Sequence, residues 1–120
     1  EALQLTGAAT VEEAAARLAE LAPLVVVKLG AEGVLARAGN RTLRAPAIPV
    51  DVVDTTGAGD CFNAGFLYSY LQGAPLDVCL QSGNICGGLS TTAVGGLPAA
   101  PTAAQVEAYR ASLRGRPLTR

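Results

Sequence analysis

Asp54-Thr55-Thr56-Gly57-Ala58-Gly59-Asp60-Cys61-Phe62-Asn63-Ala64-Gly65-Phe66 is the stretch that decides how this 120-residue chain is read. Just upstream, Pro46 and Pro49 keep the backbone extended, and Val50-Asp51-Val52-Val53 predicts a short strand running into it. Just downstream, Ala58, Cys61, Phe62, Gly65, Phe66, Ser69 and Tyr70 fall at helical intervals, predicting a helix that stops at Gly73-Ala74-Pro75. A strand that ends in Gly-Ala-Gly and opens directly into a helix aims unpaired backbone N–H groups and the positive end of the macrodipole at one point. Gly57 and Gly59 let the backbone approach a ligand closely. The expected ligand is an anion, most naturally a phosphoryl group. Asp60 falls in the first turn, where its charge suits the helix but repels a bound anion. The pairing makes chemical sense if the carboxylate takes a proton from a hydroxyl while the amides hold the phosphoryl group that this hydroxyl attacks. An ordinary strand–turn–helix with Asp60 as a first-turn charge uses the same residues. A dinucleotide fingerprint does not, because Phe62 stands where its third Gly belongs, and a P-loop lacks its Gly-Lys-Ser/Thr here.

Towards the N-terminus, Thr10 with Glu13 has the spacing of a capping box, and Val11, Ala14, Ala15, Leu18 and Leu21 predict a helix over 11–22, stopped by Pro23. Leu24 to Leu29 is a β-branched run that predicts a strand buried on both faces of a parallel sheet. Gly30 to Gly33 and Gly39-Asn40 are turns separating strands at 34–38 and 42–45, an antiparallel excursion at a sheet edge. Towards the C-terminus, a helix is expected over 76–92, its small residues Ser82, Gly83, Gly87 and Gly88 permitting close backbone approach. Another follows from Thr102 to Leu113, opened by the capping pair Thr102 and Gln105.

Composition narrows the chemistry. Nine basic and ten acidic residues give no electrostatic footprint for nucleic acid or an anionic membrane, and neither partner is expected. No run of about eighteen apolar residues and no leader pattern occurs. With no His, acid–base work falls to carboxylates, hydroxyls, thiols, lysine and backbone dipoles. Cys61, Cys79 and Cys86 form no C-x-x-C pair and read as reduced thiols packed inside a cytosolic protein.

The stretch from Asp54 to Phe66 closely resembles the C-terminal signature of the ribokinase/PfkB carbohydrate kinases, D-T-x-G-A-G-D-x-F. Further matches keep the family's order. Glu1 to Gly7 resembles the segment containing the Glu of N-x-x-E, and Lys28-Leu29-Gly30-Ala31-Glu32-Gly33 resembles the T-x-G-x-x-G nucleotide loop with Lys for the usual Thr. Asn84 resembles a residue beside the nucleotide base, and Gly95-Gly96-Leu97-Pro98 with Pro101 resembles the closing loop.

The resemblance covers essentially the whole chain and implies an α/β fold, a three-layer α/β/α sandwich of ribokinase type, present as its C-terminal part only. Residues 1–113 would form the nucleotide-binding and catalytic-base part, with 114–120 a tail. It implies ATP-dependent phosphoryl transfer to a hydroxyl of a sugar or sugar-like small molecule in the cytoplasm. Asp60 would be the base, and the amides of Gly57, Ala58 and Gly59 the anion hole. Lys28, Gly30, Gly33 and Asn84 would hold the nucleotide. Glu1 would organise Mg²⁺ through water, while Asp54 and Thr56, with carbonyls near Ala93 and Gly95, match a loop that holds a monovalent cation such as K⁺ in many members. A nucleoside or other small alcohol is the alternative acceptor, and homodimerisation of the full-length protein is left open. Because the family's sugar pocket lies mainly N-terminal to these residues, the isolated 120 residues are expected to be inactive and to expose an apolar sheet edge. A catalytically incomplete nucleotide-binding module is the rival from another class.

Overall fold

The computed structural model describes residues 1–94 and 100–113. The closing-loop residues Gly95–Pro98 and the tail 114–120 lie outside the described residues. The chain opens with a short helix α1 (Ala2–Thr6) that the sequence reading did not anticipate. Gly7, at φ 72°, closes it by donating its N–H to Leu3 O. Helix α2 (Val11–Leu18) starts at an extended Thr10, whose side chain accepts from the Glu13 N–H at 3.1 Å. Only half of the expected capping box forms, because the Glu13 carboxylate turns forward to Arg17 at 2.7 Å instead of back to Thr10. The helix ends four residues short of position 22, since the amides of Glu20 and Leu21 tighten onto Arg17 O and Leu18 O and leave Leu21 exposed.

Three strands follow, β1 (Val25–Lys28), β2 (Val34–Ala38) and β3 (Arg41–Ala45), in the spatial order β1-β2-β3. All pairings among the described residues are antiparallel, with Val26 opposite Ala36 and Leu35 opposite Arg44. The expectation that residues 24–29 are buried on both faces is corrected, since β1 is only partly buried; it enters β2 through a tight 3₁₀ turn at Gly30–Glu32, which makes that neighbour antiparallel. A connection this short reverses the chain, whereas parallel neighbours need a crossover of about a dozen residues or more. The hairpin between β2 and β3 forms at Gly39-Asn40 as the sequence suggests.

Alternation along the strands builds the layers. Val34 and Ala36 of β2 join Val26, Leu43 and Ala45 in a core packed on Phe62, Phe66, Cys79 and Leu80 of two long helices, α3 (Ala58–Leu71) and α4 (Leu76–Ser90). Leu35, fully buried, points to the opposite face with its partner Arg44, which pairs with Glu12 of α2 at 2.6 Å. Helices thus cover both faces of the sheet, giving the α/β/α stack that the sequence implies.

α3 and α4 make the most extensive contact in the molecule. Small residues bring them together: a Cβ on Gly65 would meet Ser82 O at 2.6 Å, and one on Gly83 would meet the Phe62 ring at 2.8 Å. The final helix, α5 (Ala103–Ser112), begins in a complete capping box of Thr102 and Gln105. It is pinned to α4 by Arg110, whose guanidinium reaches Gln81 Oε1 at 3.0 Å, Glu107 and the Ser82 hydroxyl. Ser82 in turn shares a buried 2.7 Å hydrogen bond with Ser69 of α3.

The expected strand at 50–53 does not form. Residues 46–54 form no ladder and bend at Val53, and the N–H groups of Val53 and Asp54 both donate to Thr91 O, at 2.7 and 3.0 Å, just past the C-terminal end of α4. Pro46 and Pro49 cannot donate to a sheet, so the segment docks on a helix end instead.

Candidate functional site

Where the segment 46–54, the turn after β1 and the facing ends of α3 and α4 converge, they enclose a cleft of about 530 Å³. Its far wall is Ala47, Ile48, Pro49, Val50 and Val52, and its near side carries Lys28, Gly30, Gly33, Ala58, Gly59 and Asn84. Six residues singled out from the sequence thus line one cavity. Among the described residues that line it, Lys28 is the only one with a charged side chain.

The Gly-rich turn sets the geometry of one end. Gly57 adopts φ 74°, ψ 4°, left-handed backbone that glycine takes without strain, and it caps α3. Asp54 organises the turn from the other side, its Oδ1 accepting from Thr56 N–H at 2.9 Å and from Thr56 Oγ1 at 2.7 Å. The Ala58 N–H donates to Thr55 O at 3.1 Å, so this amide, one of the three expected in the anion hole, is engaged within the turn. Helix geometry leaves the N–H groups of Gly59 and Asp60 without an intrahelical acceptor. Asp60 is exposed in the first turn of α3 and is not among the residues lining the cleft; Gly57, Asp54, Thr56 and Glu1 are outside that lining too.

Two contacts shape the rest. Lys28, at the end of β1, reaches across to α3, donating to Asn63 Oδ1 at 3.0 Å and to Gly59 O at 3.3 Å, with its Nζ 5.6 Å from the centroid of the Phe62 ring. Asn84 of α4 donates its side-chain amide to Pro46 O at 2.8 Å, so it anchors the start of the far wall. Sequence reasoning missed that wall. Its signals are the close-approach glycines: Gly88 leaves room for Ile48, whose Cγ1 a Cβ would meet at 2.4 Å, and Gly33 leaves room for the backbone at Ala45–Ala47.

For a metal ion the residues supply little. Among the described residues no group of three or more His, Cys, Asp or Glu side chains could hold one. Glu1 precedes α1 in an exposed position, and the Asp54 Oδ1 is taken up by Thr56. The water-mediated role expected of Glu1 needs no such group, the Gly95 carbonyl expected beside K⁺ lies outside the described residues, and no step below is routed through a metal.

The thiols stand apart from this chemistry. Cys61, Cys79 and Cys86 are free, and none lines the cleft. Burial, reinforced by Asp77, holds the Cys79 thiol above its ordinary value, and burial reinforced by Cys61 does the same for Cys86. A raised thiol pKa means that the folded state keeps a proton the unfolded state loses. The stability these groups contribute is therefore complete below the ordinary thiol range, about pH 8.5, and declines as pH rises through the folded values. Urea unfolding at pH 7, 8.5 and 10 should show a midpoint that holds and then falls, and iodoacetamide should label native Cys79 and Cys86 slowly at pH 7.5. Rapid labelling there would contradict the burial argument.

No helix among the described residues is long and apolar enough to cross a membrane. Residues 1–103 match the family model for pfkB family carbohydrate kinases. The chain is 35% identical over 118 residues to the aminoimidazole riboside kinase of Salmonella typhimurium, an alignment covering 93% of this chain and 37% of that protein. Its fold superimposes on a ribokinase from Thermotoga maritima with a TM-score of 0.84 at 34% identity, covering 92% of this chain and 38% of that one. A fructokinase from Vibrio cholerae, solved with fructose, ADP and calcium ion, gives 0.79 at 38% identity, again covering 91% and 38%. The chain therefore spans less than two fifths of the length of these relatives.

Proposed function

Since the chain belongs to the pfkB family of carbohydrate kinases, with a ribokinase-type α/β fold, we propose that its cleft binds ATP and that Asp60 acts as general base for phosphoryl transfer to a sugar or nucleoside hydroxyl. The observation that carries this reading is the cleft itself. An apolar wall from Ala47 to Val52 suits a purine face, and at the other end Lys28 and the Gly57–Gly59 turn suit the polyphosphate. ATP supplies the phosphoryl group, and the chain's residues position and stabilise it. The Gly59 and Asp60 amides, with the N-terminal dipole of α3, meet charge that develops on the transferring group. The Lys28 ammonium adds a donor and a positive charge beside them. Asp60, exposed next to these amides, takes the proton of the attacking hydroxyl at its carboxylate oxygen. Glu1 is proposed to act on Mg²⁺ only through water, as hydrated Mg²⁺ on a polyphosphate permits. Asp54 and Thr56 are proposed to shape the turn, with a monovalent cation near them a finer proposal. Asn84 is proposed to serve the base end by holding Pro46.

Sugar and riboside acceptors are both represented among the relatives, and the acceptor class stays at that level. The test is ATP-dependent ADP release by the full-length protein across a panel of ribose, fructose, other sugars and nucleosides. At least one acceptor should raise the rate well above the acceptor-free background. A flat panel, with nucleotide binding intact, would refute phosphoryl transfer and favour a nucleotide-binding module.

A further inference from the structure

We propose that Asn63, on the first turns of α3, is a positioning residue that fixes the Lys28 ammonium at the lip of the cleft so that its remaining N–H faces the polyphosphate; this rests on the reading of the cleft as a nucleotide site. An ammonium has three donors and no acceptor. Among the described residues two of the donors have acceptors, Asn63 Oδ1 at 3.0 Å and Gly59 O at 3.3 Å, and Lys28 lines the cleft. The acceptors lie one helical turn apart on α3, at i and i+4, so together they hold the head group against one side of the helix, beside the Phe62 ring. A lysine stem is long and rotamer-rich, and an untethered head group would wander into solvent, because Lys28 is exposed. Gly59 O, at 3.3 Å, is the longer and weaker of the two contacts. The Asn63 side chain supplies the shorter bond, and as a neutral acceptor it leaves the net positive charge of the ammonium uncancelled.

Asn63 is thus suited to its place in a way that a carboxylate is not. An Asp or Glu would grip the ammonium more tightly but neutralise it beside a polyphosphate. Asn63 itself is not among the lining residues of the cleft, so its influence passes through Lys28.

A double-mutant cycle on the full-length protein tests this, with calorimetric Kd values for ATP and for adenosine. Lys28→Met should raise the Kd for ATP by about tenfold. Asn63→Ala should raise it by about threefold in the wild-type background and leave it unchanged in the Lys28→Met background. Adenosine, which has no phosphate, should bind all four proteins alike. Acetylation of Lys28 by acetic anhydride, followed by mass spectrometry, gives a readout that needs no nucleotide, and Asn63→Ala should accelerate it. Equal effects of Asn63→Ala in both backgrounds, a parallel loss of adenosine affinity, or unchanged acetylation would each overturn the positioning role. Failure of the unmodified protein to bind ATP would instead overturn the nucleotide reading, and with it the purpose assigned to Lys28, while the acetylation result still decides whether Asn63 holds the lysine.

Discussion

Asp60→Asn in the full-length protein should lower the turnover of acceptor phosphorylation by about 10²- to 10⁴-fold and leave ATP affinity essentially unchanged. The substitution keeps the size and planarity of the side chain and removes only its basicity and charge. The Asp60 side chain is exposed, does not line the cleft and shares only its unchanged backbone amide with the proposed phosphate site, so nucleotide binding loses no side-chain contact. Its side chain makes no hydrogen bond or ion pair among the described residues, so the thermal midpoint should move little. Steady-state kinetics with saturating ATP, read beside calorimetric ATP binding, separate the two effects: kcat should collapse while Kd holds. Near-normal turnover would remove Asp60 from the role of base. A loss of ATP affinity equal to the loss in turnover would recast it as a binding residue.

Gly33→Ala should have the largest effect on stability. Gly33 has φ 97° and ψ −135°, and an ideal Cβ there would lie 2.1 Å from Ala45 O, 2.8 Å from Pro46 Cα and 2.9 Å from Ala47 N. All three are backbone atoms, which cannot rotate away as a side chain can, and they belong to the start of the cleft wall. Strain and overlap together should cost about 3 kcal/mol or more, a fall of about 10 °C or more in midpoint for a chain of this size. Gly39 provides the control. Its φ is 61°, but nothing lies within 4 Å of its ideal Cβ, so Gly39→Ala should cost only the left-handed backbone penalty of about 1 kcal/mol. Thermal unfolding followed by circular dichroism compares the two directly. Equal midpoints would show that the approach of Ala45–Ala47 to Gly33 does not carry the energy assigned to it.

The two variants also separate kinds of legibility. Asp60 stands out in the sequence because its surroundings are local: the Gly-Ala-Gly turn, the helix behind it and the carboxylate in the first turn occupy consecutive residues. The capping of α2 by Thr10 and the complete box at Thr102 are visible for the same reason. Local reading erred where the local signal was shared by two structures. Leu24 to Leu29 has the composition of a strand buried on both faces, yet β1 is only partly buried and its end at Lys28 is exposed. Val50 to Val53 has the composition of a strand, yet the prolines before it and the carbonyl of Thr91 draw it onto a helix end.

What the sequence determined by itself was the Gly-rich turn at the start of α3, the phase of the long helices and the family these imply, because each of these rests on hydrogen bonds and dipoles that close within a few residues. Only the tertiary structure decided how the cleft is walled and how Lys28 is held. Asn84 reaches Pro46 across 38 positions, and Lys28 reaches Gly59 and Asn63 across 31 and 35. A side chain's propensity says nothing about a partner that far along the chain. The sheet and the close crossing of α3 and α4 must first bring the two segments together, and only then do a lysine, two amide side chains and a row of glycines become the parts of one site.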